Sequence, residues 1–190
     1  MQKDTRGIAT TYRGINFRSR LEATWAAFFD AYGLRWEYEP CVFEGPGWTP
    51  DFLLVDSGIL CECKPVPEVE QWRDHECLPY IRERIADDQR VLLIGLLPLA
   101  IWFGEGLGSE RLDSRAIGLL TSRQQSPWGV AGAFLSVSGT VQSLCGEVVV
   151  VDRPFKVDDL GLALKLSYAS RVADEAWAKA KNAVQWRPGE

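Results

Sequence analysis

Residues 91–97 read VLLIGLL, an apolar run of strand length without a polar side chain in it. A strand that is apolar on both faces must be covered on both faces, so it belongs in a sheet held between two layers. The preceding sequence supplies material for such layers. In FRSRLEATWAAFFDAYG, Leu21, Trp25, Phe28, Phe29 and Tyr32 recur at three- and four-residue steps. That spacing predicts a helix with one broad apolar stripe, stopped at Gly33. LRWEYEP then alternates, with Leu34, Trp36 and Tyr38 on one face and Arg35, Glu37 and Glu39 on the other. This is the pattern of a half-buried strand. After the turn EGPGW, the segments PDFLLVD and ILCECK read as two strands joined at Asp56-Ser57-Gly58.

PEVEQWRDHECLPYIRERIADD has helical character, interrupted or kinked at Pro79. Beyond Pro98, AIWFG, RAIGLL, GAFLSV, TVQSL and EVVVV predict short strands linked by Gly and Ser. A helix follows from Val157 to about Val184, its mixed-charge face suited to packing on the domain or on a partner. With no repeat, low-complexity tract or clear linker, residues 1–190 are expected to form one α/β domain. Its core spans about 12–97 and an extension about 98–190.

Composition removes several classes. No apolar run approaches the ~20 residues of a membrane span, and MQKDTRGIATTYRG lacks the apolar middle of a signal peptide. The expectation is a cytoplasmic protein with no membrane partner. The five cysteines are odd in number and scattered, which argues against a disulfide framework. Zinc lacks ligands, since there is no CxxC pair and His75 is the only histidine. Cys61 and Cys63 therefore read as small buried hydrophobes. The net charge of −5 argues against indiscriminate coating of nucleic acid. Within it, residues 1–20 carry +4, so a basic arm adjoins a body of −9.

The chemistry concentrates in CECK. Side chains alternate along a strand, so Glu62 and Lys64 share the face opposite Cys61 and Cys63. Asp51 opens the preceding strand, and a hairpin brings it beside Glu62. Two carboxylates this close repel each other unless a cation lies between them. A hard, oxygen-seeking ion such as Mg²⁺ or Mn²⁺ suits them. Taken singly, each residue also has a plain structural explanation: Asp51 as a turn residue, Glu62 with Lys64 as a solvated pair, Glu22 as an i,i+4 partner of Arg18.

Pro50-Asp51 followed by Glu62-x-Lys64 resembles the PD-(D/E)XK nuclease superfamily. RSRLEATWAAFFDAYGLRWEYEP is similar to the opening of its phage- and prophage-borne members, with their R-S-x-L-E start. The resemblance implies a restriction-endonuclease-like αβββαβ core, a mixed central sheet flanked by helices, with the second half as an added extension of short strands and a terminal helix. It implies a Mg²⁺- or Mn²⁺-dependent endonuclease acting on DNA, with RNA also possible as substrate. Asp51, Glu62 and Glu22 would hold the ion, joined by the backbone carbonyl of Cys63, and Lys64 would act on the attacking water. A glutamine or lysine often follows on the next helix, where Gln71 is the nearest match. Arg13, Arg18 and Arg20 are candidate nucleic-acid contacts. Trp36 and Trp48 are expected in the core. The alternative is a catalytically silent nucleic-acid-binding or assembly protein keeping this fold, with the C-terminal half serving a homo-oligomer or protein partner.

Overall fold

In the computed structural model the described residues are 7–45, 47–67, 71–72, 75–105, 111–122, 131–135, 141–143 and 160–185. Two short strands open the chain, β1 (Thr10–Tyr12) and β2 (Ile15–Phe17), an antiparallel hairpin closed by Arg13 and Gly14 at positive φ. Helix α1 (Arg20–Tyr32) follows, capped by Ser19, whose hydroxyl accepts from the Glu22 N–H, and ended by Gly33 in the left-handed conformation. Strands β3 (Trp36–Tyr38), β4 (Phe52–Leu54) and β5 (Ile59–Cys63) form an antiparallel meander. Helix α2 (Cys77–Arg84) leads to β6 (Arg90–Ile94), which runs parallel to β5.

Thereafter β7 (Leu99–Glu105) and β8 (Arg111–Ala116) form a separate two-stranded sheet, while β9 (Gly118–Ser122) returns antiparallel to β6. Strands β10 (Ala131–Leu135) and β11 (Val141–Ser143) extend the sheet beyond β9. Among the described residues the main sheet thus has seven strands in the order β11-β10-β9-β6-β5-β4-β3. Helix α3 (Leu160–Ala183) lies against α1 and β8. The protein is mixed α/β.

Period-two alternation divides the sheet's side chains between two cores. Phe52, Leu54, Cys61, Cys63, Leu92 and Ile94 face the helical layer of Trp25, Phe28 and Phe29 from α1 and Ala176 and Ala180 from α3. Small alanines on α3 let the helices approach closely, and Trp177 comes within 4.7 Å of Trp25, ring centre to ring centre. On the other face Leu60, Val91, Leu93 and Leu119 pack with Trp72, Leu78, Ile81 and Ile85. Val91 to Ile94 are all buried, as a strand covered on both sides requires.

Some expectations need correction. The helical segment is interrupted ahead of Pro79 and not kinked at it: residues 71–72 are helical, 75 and 76 are not, and α2 starts at Cys77. Pro79 lies in the first turn of α2, where a missing N–H breaks no intrahelical bond. RAIGLL is not one strand but a corner, since β8 ends at Ala116 and β9 starts at Gly118 in a different sheet. The β1–β2 hairpin is an element that the sequence pattern does not announce. EVVVV, the first residues of the C-terminal helical segment and Arg73 lie outside the described residues. No described helix is long and apolar enough to cross a membrane.

Candidate active site

Asp51 is fixed by its backbone before its side chain acts. Its N–H donates to the Cys61 carbonyl and its carbonyl accepts from the Glu39 N–H, both at 2.9 Å, so β3 and β5 hold it from either side. The register pairs Phe52 with Cys61, and one further step sets Asp51 beside Glu62. Both carboxylates are almost fully buried, at 2% and 3% exposure. Asp51 Oδ2 accepts from the Cys63 N–H at 2.7 Å and Oδ1 from Arg18 Nη2 at 2.5 Å. Burial, then repulsion by Glu62 and by Glu22, push the Asp51 carboxyl up to about 7, against the opposing pull of Lys64 and the Cys63 N–H.

Glu62 accepts from Lys64 Nζ on one oxygen and from the indole N–H of Trp48, at 2.6 Å, on the other. The Lys64 N–H donates to the Ile94 carbonyl at 3.0 Å, so the strand's end is tied to β6. Burial works against the charge on Lys64, but attraction to Glu62 and then Asp51 outweighs it and raises its pKa. Lys64 is held as a cation.

Glu22, also buried, stands in the first turn of α1. Its Oε1 accepts from Ser19 Oγ at 2.8 Å, and its Oε2 from the Tyr38 hydroxyl at 2.6 Å and the Arg18 N–H at 3.1 Å. Burial and the bond to Glu22 push the Tyr38 phenol up to about 12, so it stays a donor. Asp51 feels Glu62, Lys64 and Glu22 together, and these predicted residues form one electrostatic cluster.

The arginines separate. Arg18 points into the cluster, with Nε 2.8 Å from Glu39 and 4.0 Å from Glu22 in addition to its bond with Asp51. Arg13 pairs with Asp30 at 2.9 Å, two turns along α1 from Glu22, beside an open cavity of about 1090 Å³ that Arg35 and Trp36 share. It is not brought to the carboxylates. Arg20 is exposed and lines a cavity of about 760 Å³ with Leu21, Leu96, Trp177 and Lys181.

Cys61 and Cys63 lie in the core, where burial pushes both thiols well up. Gln71 is exposed, and Trp72 is buried in the second core. Trp36 packs against the first core, and its indole donates to Asp30 at 3.1 Å. Sequence reasoning missed Ser19, Tyr38 and Trp48 as partners of the carboxylates. The one available signal was polar tips on residues flanking the motif, and spacing alone does not aim them.

Among the described residues, no three His, Cys, Asp or Glu side chains are grouped so as to hold a metal ion. The carboxylate oxygens are met instead by donors of the chain, with Arg18 serving Asp51, Glu39 and Glu22. In comparison with known proteins, the chain matches no family model, no curated protein and no solved structure.

Proposed function

We propose that the chain is a metal-dependent nuclease hydrolysing phosphodiester bonds of DNA, an endonuclease with the αβββαβ core of the PD-(D/E)XK superfamily. One observation carries this reading: Asp51, Glu62 and Lys64 meet at the carboxyl end of β5, with Glu22 coupled to them from α1. The element order α1, β3, β4, β5, α2, β6, with β5 and β6 parallel, agrees with it. Open α/β sheets present their ligand sites at the carboxyl ends of parallel strands, and the cluster stands at such an end.

The donors are of the chemical kind a hard divalent cation takes, although no three of their side chains are gathered around one point. Asp51, Glu62, Glu22 and the Cys63 carbonyl offer only oxygens, the ligands Mg²⁺ and Mn²⁺ take. Bound there, Mg²⁺ or Mn²⁺ supplies Lewis acidity toward a phosphate and a water of lowered pKa. Lys64, held charged by Glu62, donates a hydrogen bond to the attacking water and offsets the negative charge that grows on the phosphate. It is not the general base. Trp48 and Tyr38 fix the rotamers of Glu62 and Glu22, so that their free lone pairs keep one direction.

The bond between Arg18 and Asp51, with the net charge of −5, favours a second reading: a catalytically silent nucleic-acid-binding or assembly protein. Incubation with supercoiled plasmid, linear duplex and RNA in Mg²⁺, Mn²⁺ or EDTA separates the two. Nicked or linearised plasmid is expected with either ion, none in EDTA, and none with Glu62→Gln. Binding of nucleic acid without cleavage in any ion would reject the nuclease in favour of the silent protein.

A further inference from the structure

Arg18 sits where a cation is wanted. Its Nη2 meets Asp51 Oδ1 at 2.5 Å, its Nε meets Glu39 at 2.8 Å and lies 4.0 Å from Glu22. Its backbone N–H donates to Glu22 and to the Tyr38 hydroxyl, both at 3.1 Å, so the residue's own main chain is pinned while its side chain reaches across. The other cation of the cluster, Lys64, belongs to Glu62. Arg18 is thus the counter-ion of the Asp51 and Glu22 half of the site.

Two features make this counter-ion exchangeable. The carboxylate it serves is buried, yet its own side chain is 59% exposed, so the guanidinium can leave into water without crossing the core. A guanidinium also presents a flat fork of donors that matches a carboxylate and a phosphate equally well. Moving from one to the other changes its partner and not its chemistry.

We propose that Arg18 holds Asp51 and Glu22 in the ion-free site, yields its place when a divalent cation binds those carboxylates, and then takes a phosphate of the nucleic acid. The inference rests on the nuclease reading above. Its consequence is reciprocal coupling: the cation competes with Arg18 for Asp51, and its arrival frees Arg18 for the substrate. A mere brace behaves in the opposite sense. If Arg18 only kept the carboxylates aimed, removing it would loosen them and weaken cation binding.

Titration calorimetry of Mn²⁺ into the DNA-free full chain decides the sign. Arg18→Gln is expected to bind Mn²⁺ more tightly than the parent, on the order of tenfold, the worth of one charge-assisted hydrogen bond removed from competition. Arg18→Lys, which keeps one charge without the fork, is expected to shift the same way by less, and serves if the glutamine variant fails to fold. Fluorescence anisotropy of a labelled duplex supplies the second readout. Replacing EDTA by Ca²⁺ should tighten binding by the parent, and this gain should shrink in Arg18→Gln. Equal or weaker Mn²⁺ binding by Arg18→Gln, while Asp51→Ala abolishes binding in the parent background, overturns the exchange but leaves the ion site standing. No Mn²⁺ bound by parent or variants overturns both.

Discussion

Glu62 has a separate donor on each carboxylate oxygen, and the two donors are expected to fail differently when removed. Trp48 holds Oε2 through its indole N–H, and its ring packs in the second core, 5.7 Å from Phe43. Trp48→Phe keeps the aromatic bulk and deletes the donor. Losing a partner that orients a ligand typically costs 10–100-fold in metal affinity, so Mn²⁺ binding is expected to weaken by about tenfold or more. Unchanged Mn²⁺ affinity in Trp48→Phe would mean the indole does not position Glu62. Lys64 holds the other oxygen and, in the proposed reaction, acts on the reacting groups. Lys64→Ala is expected to slow cleavage on the order of 10²–10³-fold, as loss of one electrostatic stabiliser does. Its affinity for duplex in Ca²⁺ should stay near the parent's, because one phosphate is a small share of the electrostatic total. Cleavage by Lys64→Ala at the parent's rate would remove lysine from the mechanism.

Elements differ in how legible they are. Helix α1 is readable because its apolar stripe and its stop at Gly33 are local properties of the chain, and Gly33 adopts φ of 76°. The pairing of Asp51 with Glu62 is readable because a hairpin turn fixes register without help from distant sequence. The break at Ile117 is not. A strand leaving one sheet for another keeps its alternation, and nothing local in RAIGLL says that the partner changes. Gly118 records the change in three dimensions. A Cβ there would lie 2.3 Å from the Leu93 carbonyl oxygen and 3.0 Å from Leu92 Cδ1, so β9 reaches β6 only with glycine at that point. Backbone cannot move aside as a side-chain tip can. Gly118→Ala is therefore expected to destabilise by roughly 1–3 kcal/mol, the range of overpacked cores. Gly33→Ala, at a positive φ with open space around its Cβ position, should cost only about 1 kcal/mol of backbone strain. Urea unfolding of both variants checks the order, and Gly118→Ala as mild as Gly33→Ala would argue against the close approach of β9 to β6.

On the scale of the whole molecule, charge decides where a polyanion can approach. Among the described residues of the basic arm inferred from sequence, the arginines do not form one patch. Arg18 is turned toward Asp51 and Arg13 toward Asp30. Sequence could count these cations but not their partners, because both carboxylates come from other elements. Arg20 differs from its neighbours. It opens α1 only two residues before Glu22, and the cavity it lines is completed by Lys181 near the end of α3. Leu96, 45% exposed just past the end of β6, lies in the same wall. Two cations from separate helices thus meet at one cavity, on a chain whose net charge is −5. A local pair of this kind is expected to supply a measurable part of the binding, because each phosphate neutralised releases condensed counterions. Arg20→Ala with Lys181→Ala should weaken duplex binding in Ca²⁺. It should also flatten the plot of log affinity against log salt by about 0.9 for each phosphate no longer neutralised, nearly 2 for the pair. The Mn²⁺ affinity of the DNA-free protein should be unaffected, since neither side chain touches Asp51, Glu62 or Glu22. A salt slope equal to the parent's would move the nucleic-acid path away from the α1–α3 cavity.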